Sequence, residues 1–200
     1  MKILLVQIKN YENISLENEI KSFFESRNYE VFIKTFDLSV PELIPGILLQ
    51  ESRSAEYMIG VGLAGFFVLS ETDSNSRIVI NPWLSPSKKL SQRESISQDF
   101  LSTLKKMETK TYDLVDAEMR VAAYSIFCPN ADTSDKDLFL KIYGRNMAGI
   151  NNYSLMEDEN LFLELEKALK YFEHITSLNY WNYIPGPRPG LINTFKIGCC

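Results

Sequence analysis

The sequence predicts an α/β fold, in which one mostly parallel six-stranded sheet lies between two layers of helices. Six short β-rich runs alternate with helical patterns along the chain. Most of these runs are near-continuously apolar, which is typical of strands buried on both faces of a parallel sheet. Alternating strands and helices with right-handed crossovers give a three-layer sandwich. With 200 residues and 45% hydrophobic composition, the chain is long enough to bury a sizeable core in a single domain.

The elements follow one another at short intervals. The strand candidates are residues 2–8, 30–36, 57–61, 77–80, 121–128 and 153–156. The helix candidates are residues 15–26, 40–51, 63–70, 94–106, 134–145 and 159–176. Ser15, followed by Asn18 and Glu19, is a candidate start of the first helix. The acidic residues around Asp158 suit the start of the last helix, where the helix dipole favours negative charge.

The last 22 residues differ in composition from the rest of the chain. We predict an α/β domain over residues 1–178 and a C-terminal strap over residues 179–200. Proline and glycine forbid a regular helix in the strap, whereas its aromatic residues are too apolar for a free linker. Two interpretations stay open: a strap packed on the domain surface, or an arm that docks on a partner subunit and makes a homo-oligomer.

Composition and charge exclude several classes of protein. A net charge of −5, with no basic stripe, disfavours nucleic-acid binding. No run approaches the roughly 18 apolar residues that a membrane span needs. The cysteines Cys128, Cys199 and Cys200 form neither a disulfide framework nor metal-ligand spacing. We therefore expect a cytoplasmic protein without a cofactor or metal; the role of the terminal cysteine pair is open.

The most informative stretch is GVGLAG, residues 60–65, which fits two motifs. It spells the G-x-G-x-x-G of dinucleotide-binding domains, with Gly60, Gly62 and Gly65 in the glycine positions. However, it follows the third strand instead of the first, and the next strand ends without the acid that would bind a ribose. It also resembles the G-x-S-x-G nucleophile elbow, with Gly60 and Ala64 as the small flanking residues and Gly62 in place of serine.

The run from residue 60 to residue 82 resembles the YqiA-type small bacterial esterases, which have a minimal α/β-hydrolase fold. The resemblance rests on GVGLAGFF at residues 60–67 and on RIVINP at residues 77–82. Those esterases have an elbow followed by two aromatic residues, and then a strand that ends in Asn-Pro. The resemblance extends more weakly over about residues 2–176. It implies a six-stranded sheet with strand order 2-1-3-4-5-6.

The resemblance also implies where catalytic residues belong. The nucleophile position is Gly62, which has no attacking atom, and the triad acid is Asp132, after the fifth strand. The histidine position lies near Asn160, before the last helix, and no imidazole occurs there. The His-Gly that lies near the oxyanion hole of those esterases falls at about Ile8 and Lys9, and is missing.

Other residues have two interpretations each. The only histidine, His174, lies near the end of the last helix, about four turns from a triad base, and suits a helix surface. Two acidic groups have functional and structural interpretations. They would bind a metal ion or do acid–base chemistry, or they would only provide favourable charge at helix starts. The groups are Asp132, Asp135 and Asp137, and Glu157, Asp158 and Glu159. Ser85 is either a relocated nucleophile or a loop residue. Cys128 is a buried small apolar residue or a reactive thiol.

Ser-His-Asp chemistry needs a base within hydrogen-bond reach of the nucleophile. Because both the serine and the histidine are missing, the sequence predicts a pseudo-hydrolase that acts as a ligand- or protein-binding module. The alternatives are an ester hydrolase with an unrecognised nucleophile and a nucleotide-binding protein that uses Gly60, Gly62 and Gly65.

Overall fold

The computed structural model describes residues 1–70, 76–93, 96–116, 123–143, 151–157 and 160–177. They form one six-stranded sheet in which every strand pair is parallel. The strands are β1 (Lys2–Ile8), β2 (Glu30–Phe36), β3 (Tyr57–Val61), β4 (Ser76–Ile80), β5 (Ala123–Phe127) and β6 (Asn151–Leu155). Their order across the sheet is 2-1-3-4-5-6, which confirms the predicted fold class and strand order.

Seven α-helices connect or follow the strands in the described part of the chain. They are α1 (Ile14–Glu25), α2 (Ile44–Ser52), α3 (Leu63–Ser70), α4 (Pro86–Leu90), α5 (Gln98–Asp116), α6 (Thr133–Tyr143) and α7 (Leu161–Ser177). A short 3₁₀ turn, Pro41–Leu43, precedes α2. Two apolar clusters lie on the two faces of the sheet: α1 and α7 contribute to one, and α2, α3, α4, α5 and α6 to the other. No described helix is long and apolar enough to cross a lipid bilayer.

Several predicted boundaries were wrong for local reasons. Helix α1 starts at Ile14 because Asn13, not Ser15, is its N-cap: the Asn13 side chain accepts the Leu16 N–H at 3.3 Å. The side chain of Glu17 in turn accepts the Asn13 N–H at 3.1 Å. These reciprocal hydrogen bonds pair donors that a helix start would otherwise leave unpaired.

Other differences concern helices that are short or longer than the pattern suggested. The predicted helix 40–51 is divided into the 3₁₀ turn and α2, each with a proline in its first two positions. Helix α4 was not predicted because five residues are too few to show a helical period. Helix α5 starts later and ends later than the predicted span 94–106. The predicted strap, residues 179–200, lies outside the described residues, as do residues 121–122 of the predicted fifth strand.

Candidate functional site

The turn between β3 and α3 is a tight strand-to-helix connection through one residue, Gly62. Its φ angle is +57°, in the left-handed region that favours glycine. The Gly62 N–H donates to the Ile80 carbonyl at 2.9 Å, and the Gly62 carbonyl accepts the Trp83 N–H at 3.0 Å. The end of β4 and the chain that follows it therefore hold this turn on both sides. The nucleophile of an elbow occupies a strained backbone position at the same kind of strand-to-helix turn.

Two neighbouring glycines allow strand, helix and loop to approach closely. A Cβ atom on Gly60 would lie 2.8 Å from the Ala64 carbonyl and from the Gly65 amide nitrogen. A Cβ atom on Gly65 would lie 3.2 Å from the Gly60 carbonyl oxygen and from Pro82. Both glycines are thus explained by backbone packing, without a bound phosphate. The motif also follows the third strand, and β4 ends at Ile80 with Asn81 after it, as the sequence indicated.

Gly62 differs from these two glycines because no backbone atom, apart from its own and those of its two chain neighbours, lies within 4 Å of the position that its Cβ atom would occupy. A Cβ atom there would meet only the indole of Trp83, with Nε1 at 3.5 Å and Cδ1 at 3.9 Å. There is space for a small side chain at the turn, but the positive φ would strain any residue except glycine, and the indole of Trp83 lies against that side chain's position. Trp83 therefore covers the place from which an elbow nucleophile would act.

The Asn-Pro pair at the end of β4 sets the course of the next loop. Asn81 has a φ angle of +47°, and its side-chain oxygen accepts the Cys128 N–H at 2.8 Å. The Asn81 N–H donates to the Ile126 carbonyl, also at 2.8 Å. Asn81 thereby links the end of β4 to the end of β5. The loop that follows β5 carries Asp132, so Asn81 helps to place that acid.

These turns enclose a hollow of about 370 Å³ at the carboxyl ends of the strands. It lies where the strand order reverses between β1 and β3, which is the usual ligand position in open α/β sheets. The loops after β1, β3, β4 and β5 and three helices, α3, α4 and α6, all contribute to it. The described residues that line it are Tyr11, Asn13, Val61, Gly62, Leu63, Asn81, Trp83, Lys89, Asn130, Ala131, Asp132 and Asp135.

The charged centre of this hollow is Lys89, on α4. Its Nζ atom lies 2.6 Å from carboxylate oxygens of both Asp132 and Asp135. The same ammonium lies 5.4 Å from the ring centroid of Trp83, within cation–π range. The rings of Trp83 and Tyr11 meet edge to face with centroids 6.0 Å apart. Lysine, not histidine, is therefore the basic group that binds the acid after β5.

The two carboxylates have opposite pKa shifts, because only one of them is buried. Hydrogen bonds from Lys89, and then from the side chain and backbone of Ser134, hold the pKa of Asp132 well below its usual value. Burial raises the pKa of Asp135, although Lys89 and the Leu84 N–H both donate to it. Burial also acts to lower the pKa of Lys89, but hydrogen bonds to both carboxylates outweigh burial and raise it. Lys89 is thus an ammonium group near neutral pH.

Hydrogen bonds to α5 and α6 hold the helix that carries Lys89. The buried carboxylate of Glu108, on α5, accepts both the N–H of Ser87 at 2.6 Å and its hydroxyl at 2.9 Å. Burial raises the pKa of Glu108, and the two Ser87 hydrogen bonds oppose that rise. Asp135 accepts the Leu84 N–H at 3.0 Å just before α4. Helix α4 is therefore attached to α5 and α6 at its first turn.

The predicted acidic residues divide into two groups. Asp132 and Asp135 line the hollow, whereas Asp137 is exposed on α6 and is not among the lining residues. Asp132 also caps α6, because its side chain accepts the Ser134 N–H at 2.8 Å. Glu157 is exposed near the end of β6. Asp158 and Glu159 lie outside the described residues. Within the described ranges, no group of three or more acidic, histidine or cysteine side chains is placed to hold a metal ion.

Neither Asn160, at the predicted histidine position, nor the histidine His174 is among the described residues that line the hollow. Asn160, near the predicted histidine position, is the N-cap of α7, and its side chain accepts the Leu163 N–H at 3.2 Å. His174 is exposed towards the other end of the same helix. Its neighbour Phe172 packs on Tyr57, the first residue of β3, with ring centroids 5.7 Å apart. Gly62 follows the last residue of β3, at the carboxyl ends of the strands. His174 therefore lies near the opposite, amino ends of the strands.

The remaining nucleophile candidates do not line the hollow. Ser85 is half-buried at the start of α4, where its carbonyl accepts the Lys89 N–H at 3.2 Å. Cys128 is half-buried after β5 and packs against the cluster of α1 and α7. Burial raises the pKa of the Cys128 thiol, which disfavours the reactive thiolate. Sequence reasoning missed Trp83, Lys89 and Tyr11. Trp83 directly follows Asn-Pro, and this adjacency was the only local signal for it.

No protein-family model and no curated protein sequence matches this chain significantly. Solved structures nevertheless share its architecture. The esterase domain of a Rhodothermus marinus protein has a TM-score of 0.55 and 13% identity, over 88% of this chain and 85% of its own. Paleococcus ferrophilus monoacylglycerol lipase has a TM-score of 0.59 and 9% identity, over 86% and 94%. An alpha/beta hydrolase enzyme from a lagoon-sediment metagenome has a TM-score of 0.54 and 11% identity, over 91% and 90%. The chain thus has an α/β-hydrolase fold.

Proposed function

We propose that this chain is a catalytically inactive α/β-hydrolase-fold protein, a degenerate relative of small esterases, that binds a ligand in the hollow beside Gly62. One observation carries the proposal. The described residues lining the hollow include the elbow turn and the acid, but no serine, threonine, cysteine or histidine. Acyl transfer by the triad mechanism needs both an activated nucleophile and a base that reaches it.

The charge arrangement supports the same conclusion. A triad base must be neutral to accept a proton from the nucleophile. Lys89 is instead protonated and bound to two carboxylates. The pairing of Lys89 with Asp132 replaces the pairing of histidine with the triad acid. It retains the link between the β5 loop and the rest of the hollow, but supplies no base.

The position of Trp83 beside Gly62 also disfavours hydrolysis. In an active elbow, a substrate carbonyl must come within about 3–3.5 Å of the nucleophile. The indole of Trp83 lies 3.5 Å from the position that a Cβ atom at residue 62 would occupy. A ligand of the hollow therefore contacts the indole of Trp83 and the groups around Lys89, while no attacking atom stands at the turn.

The proposal is tested by covalent labelling with a broad fluorophosphonate probe, read by intact mass, with a known esterase as the positive control. We expect no adduct on the wild-type protein, and none on Gly62→Ser, because a restored serine would still lack a base. Circular dichroism confirms that both proteins are folded. A stoichiometric adduct on the wild type would overturn the proposal, and its loss in Ser85→Ala would identify Ser85 as a relocated nucleophile. Strong esterase turnover by Gly62→Ser would show that a base exists.

A further inference from the structure

Strand β2 is an edge strand that exposes apolar side chains on both of its faces. It pairs only with β1 in the described sheet. Phe32 is 39% exposed on one face and Ile33 is 46% exposed on the other. Edge strands of soluble proteins are usually protected by charges, bulges or proline, because an unpaired edge is a template for another strand. The seven residues of β2 contain no proline, glycine or bulge, and their only charged side chains, Glu30 and Lys34, are of opposite sign.

Among the described residues, nothing pairs with the backbone groups on the outer side of β2. The Glu30 N–H donates to the Met1 carbonyl, and the Phe36 carbonyl accepts the Lys9 N–H, both at 2.9 Å and both towards β1. The N–H and C=O groups of a strand in a parallel pair alternate between its two sides. Hence residues 31, 33 and 35 direct their N–H and C=O groups away from the sheet. No strand of the described sheet pairs with these groups, so a further strand can do so.

The side-chain pattern of β2 is complementary to itself when a second copy runs antiparallel about Phe32. In that register, Glu30 lies opposite Lys34 of the partner subunit, and Lys34 lies opposite Glu30 of the partner subunit. Val31 and Ile33 oppose each other in the same way on the other face. Cross-strand pairs of opposite charge and of apolar side chains both stabilise a sheet. The Glu30 carboxylate is exposed and has no ion-pair or hydrogen-bond partner among the described residues.

The backbone accepts the same register. Val31 and its opposite, Ile33 of the partner subunit, both direct their polar groups outward, so they form a hydrogen-bonded antiparallel pair. Two copies paired antiparallel about Phe32 are related by a two-fold axis, so this pair occurs twice. Each pair has two hydrogen bonds, which gives four between the chains. Phe32 then faces Phe32 of the partner subunit in a non-hydrogen-bonded pair, where side chains lie closest.

An apolar stripe beside β2 extends this surface. Leu43, the N-cap of α2, and Ile47 and Glu51 within the helix recur every four residues, so they share one side of it. Glu51 forms an ion pair with Lys34 at 2.5 Å, which places the stripe next to β2. Leu43 and Ile47 are both exposed. A stable interface needs more area than one strand supplies, and this stripe adds apolar area beside the strand.

We propose that β2 is a homodimer interface, at which a second copy of this chain pairs antiparallel about Phe32 to make a continuous twelve-stranded sheet. The partner is a second copy of the same chain, because Glu30 and Lys34 of one copy lie opposite Lys34 and Glu30 of the other. This inference is independent of the hollow, which lies at the carboxyl ends of the strands on other loops.

The test is sedimentation velocity over a concentration series with the full-length protein. We expect the wild type to sediment as a dimer. Glu30→Lys and Lys34→Glu each place like charges opposite each other twice, and each should weaken dimerisation about tenfold or more. An equimolar mixture of the two variants restores opposite charges in both pairs, and it should form a heterodimer with near wild-type affinity. A wild type that remains monomeric at every concentration would overturn the proposal.

A matched pair of variants locates the interface. Ile33→Lys places a charge in the proposed contact, whereas Leu155→Lys places one on β6, at the other edge of the sheet. The two side chains are 46% and 48% exposed. We expect Ile33→Lys to be monomeric and Leu155→Lys to be dimeric, with both folded by circular dichroism. If the wild type is a dimer that neither the β2 charge variants nor Ile33→Lys weakens, another surface carries the interface and the proposal is wrong.

Discussion

The close approach of β3 to α3 makes a quantitative prediction for Gly60→Ala. The added methyl group would lie 2.8 Å from three backbone atoms of Ala64 and Gly65. Backbone atoms do not move aside as the end of a flexible side chain does, so strand and helix must separate. Overpacking of this kind costs about 1–3 kcal/mol. For a chain of this size, we expect the melting temperature to fall by about 3–10 °C.

Gly46→Ala is the matched control for this substitution. Gly46 lies in α2, and an added Cβ atom meets nothing within 4 Å. Alanine in a helix should therefore raise the free energy of unfolding by about 0.5–1 kcal/mol. Urea denaturation of both variants gives the two values on one scale. If Gly60→Ala is as stable as the wild type or as Gly46→Ala, the strand and the helix are not as close as described, and the packing explanation of this glycine fails.

Three further predictions concern the ion pair and the helix caps. Lys89→Met leaves the buried carboxylate of Asp135 without its cation, and should lower the free energy of unfolding in urea by about 2–3 kcal/mol. Lys88→Met, at an exposed neighbouring position, should change it by less than about 0.5 kcal/mol. The folded-state pKa of Asp132 is lowered, so its stabilising effect is full above about pH 4 and is lost as the pH falls further; the stability difference between the wild type and Asp132→Asn should shrink over that range, and a constant difference would contradict the assignment. Asn160→Ala should cost about 1 kcal/mol through loss of the cap of α7, whereas Asn160→Asp should retain it; equal melting temperatures of the two variants would argue against a capping role.

The sheet was predictable because its strands have a local signature. Buried parallel strands such as β3 and β5 are continuously apolar. A helix that connects two parallel strands of one sheet makes a right-handed crossover, which limits the possible topologies. The sharp turn between β3 and α3 was also predictable, because it lies in one short segment. Gly60 allows the strand and the helix to approach closely, and Gly62 adopts a positive φ angle. The spacing of the two glycines in the sequence indicates both roles.

The centre of the hollow was not predictable in the same way. The pairing of Lys89 with Asp132 joins residues 43 positions apart, and its geometry depends on a five-residue helix. Glu108 fixes that helix from yet another element. A lysine in a short polar segment gives no local sign that it faces two carboxylates. The first residue of α1 was missed for a similar reason, since Asn13 and Ser15 are both good caps and only the Asn13 hydrogen bonds distinguish them.

The position of Trp83 has a practical consequence for finding a ligand. The chain has two tryptophans, Trp83 and Trp181, so Trp181→Phe leaves a single fluorophore on the wall of the hollow. Its indole lies beside Gly62 and within 5.4 Å of the Lys89 ammonium. A compound that enters the hollow changes the polarity around this ring, and so shifts its emission. The protein therefore contains an optical reporter with which a chemical library can be screened without any label.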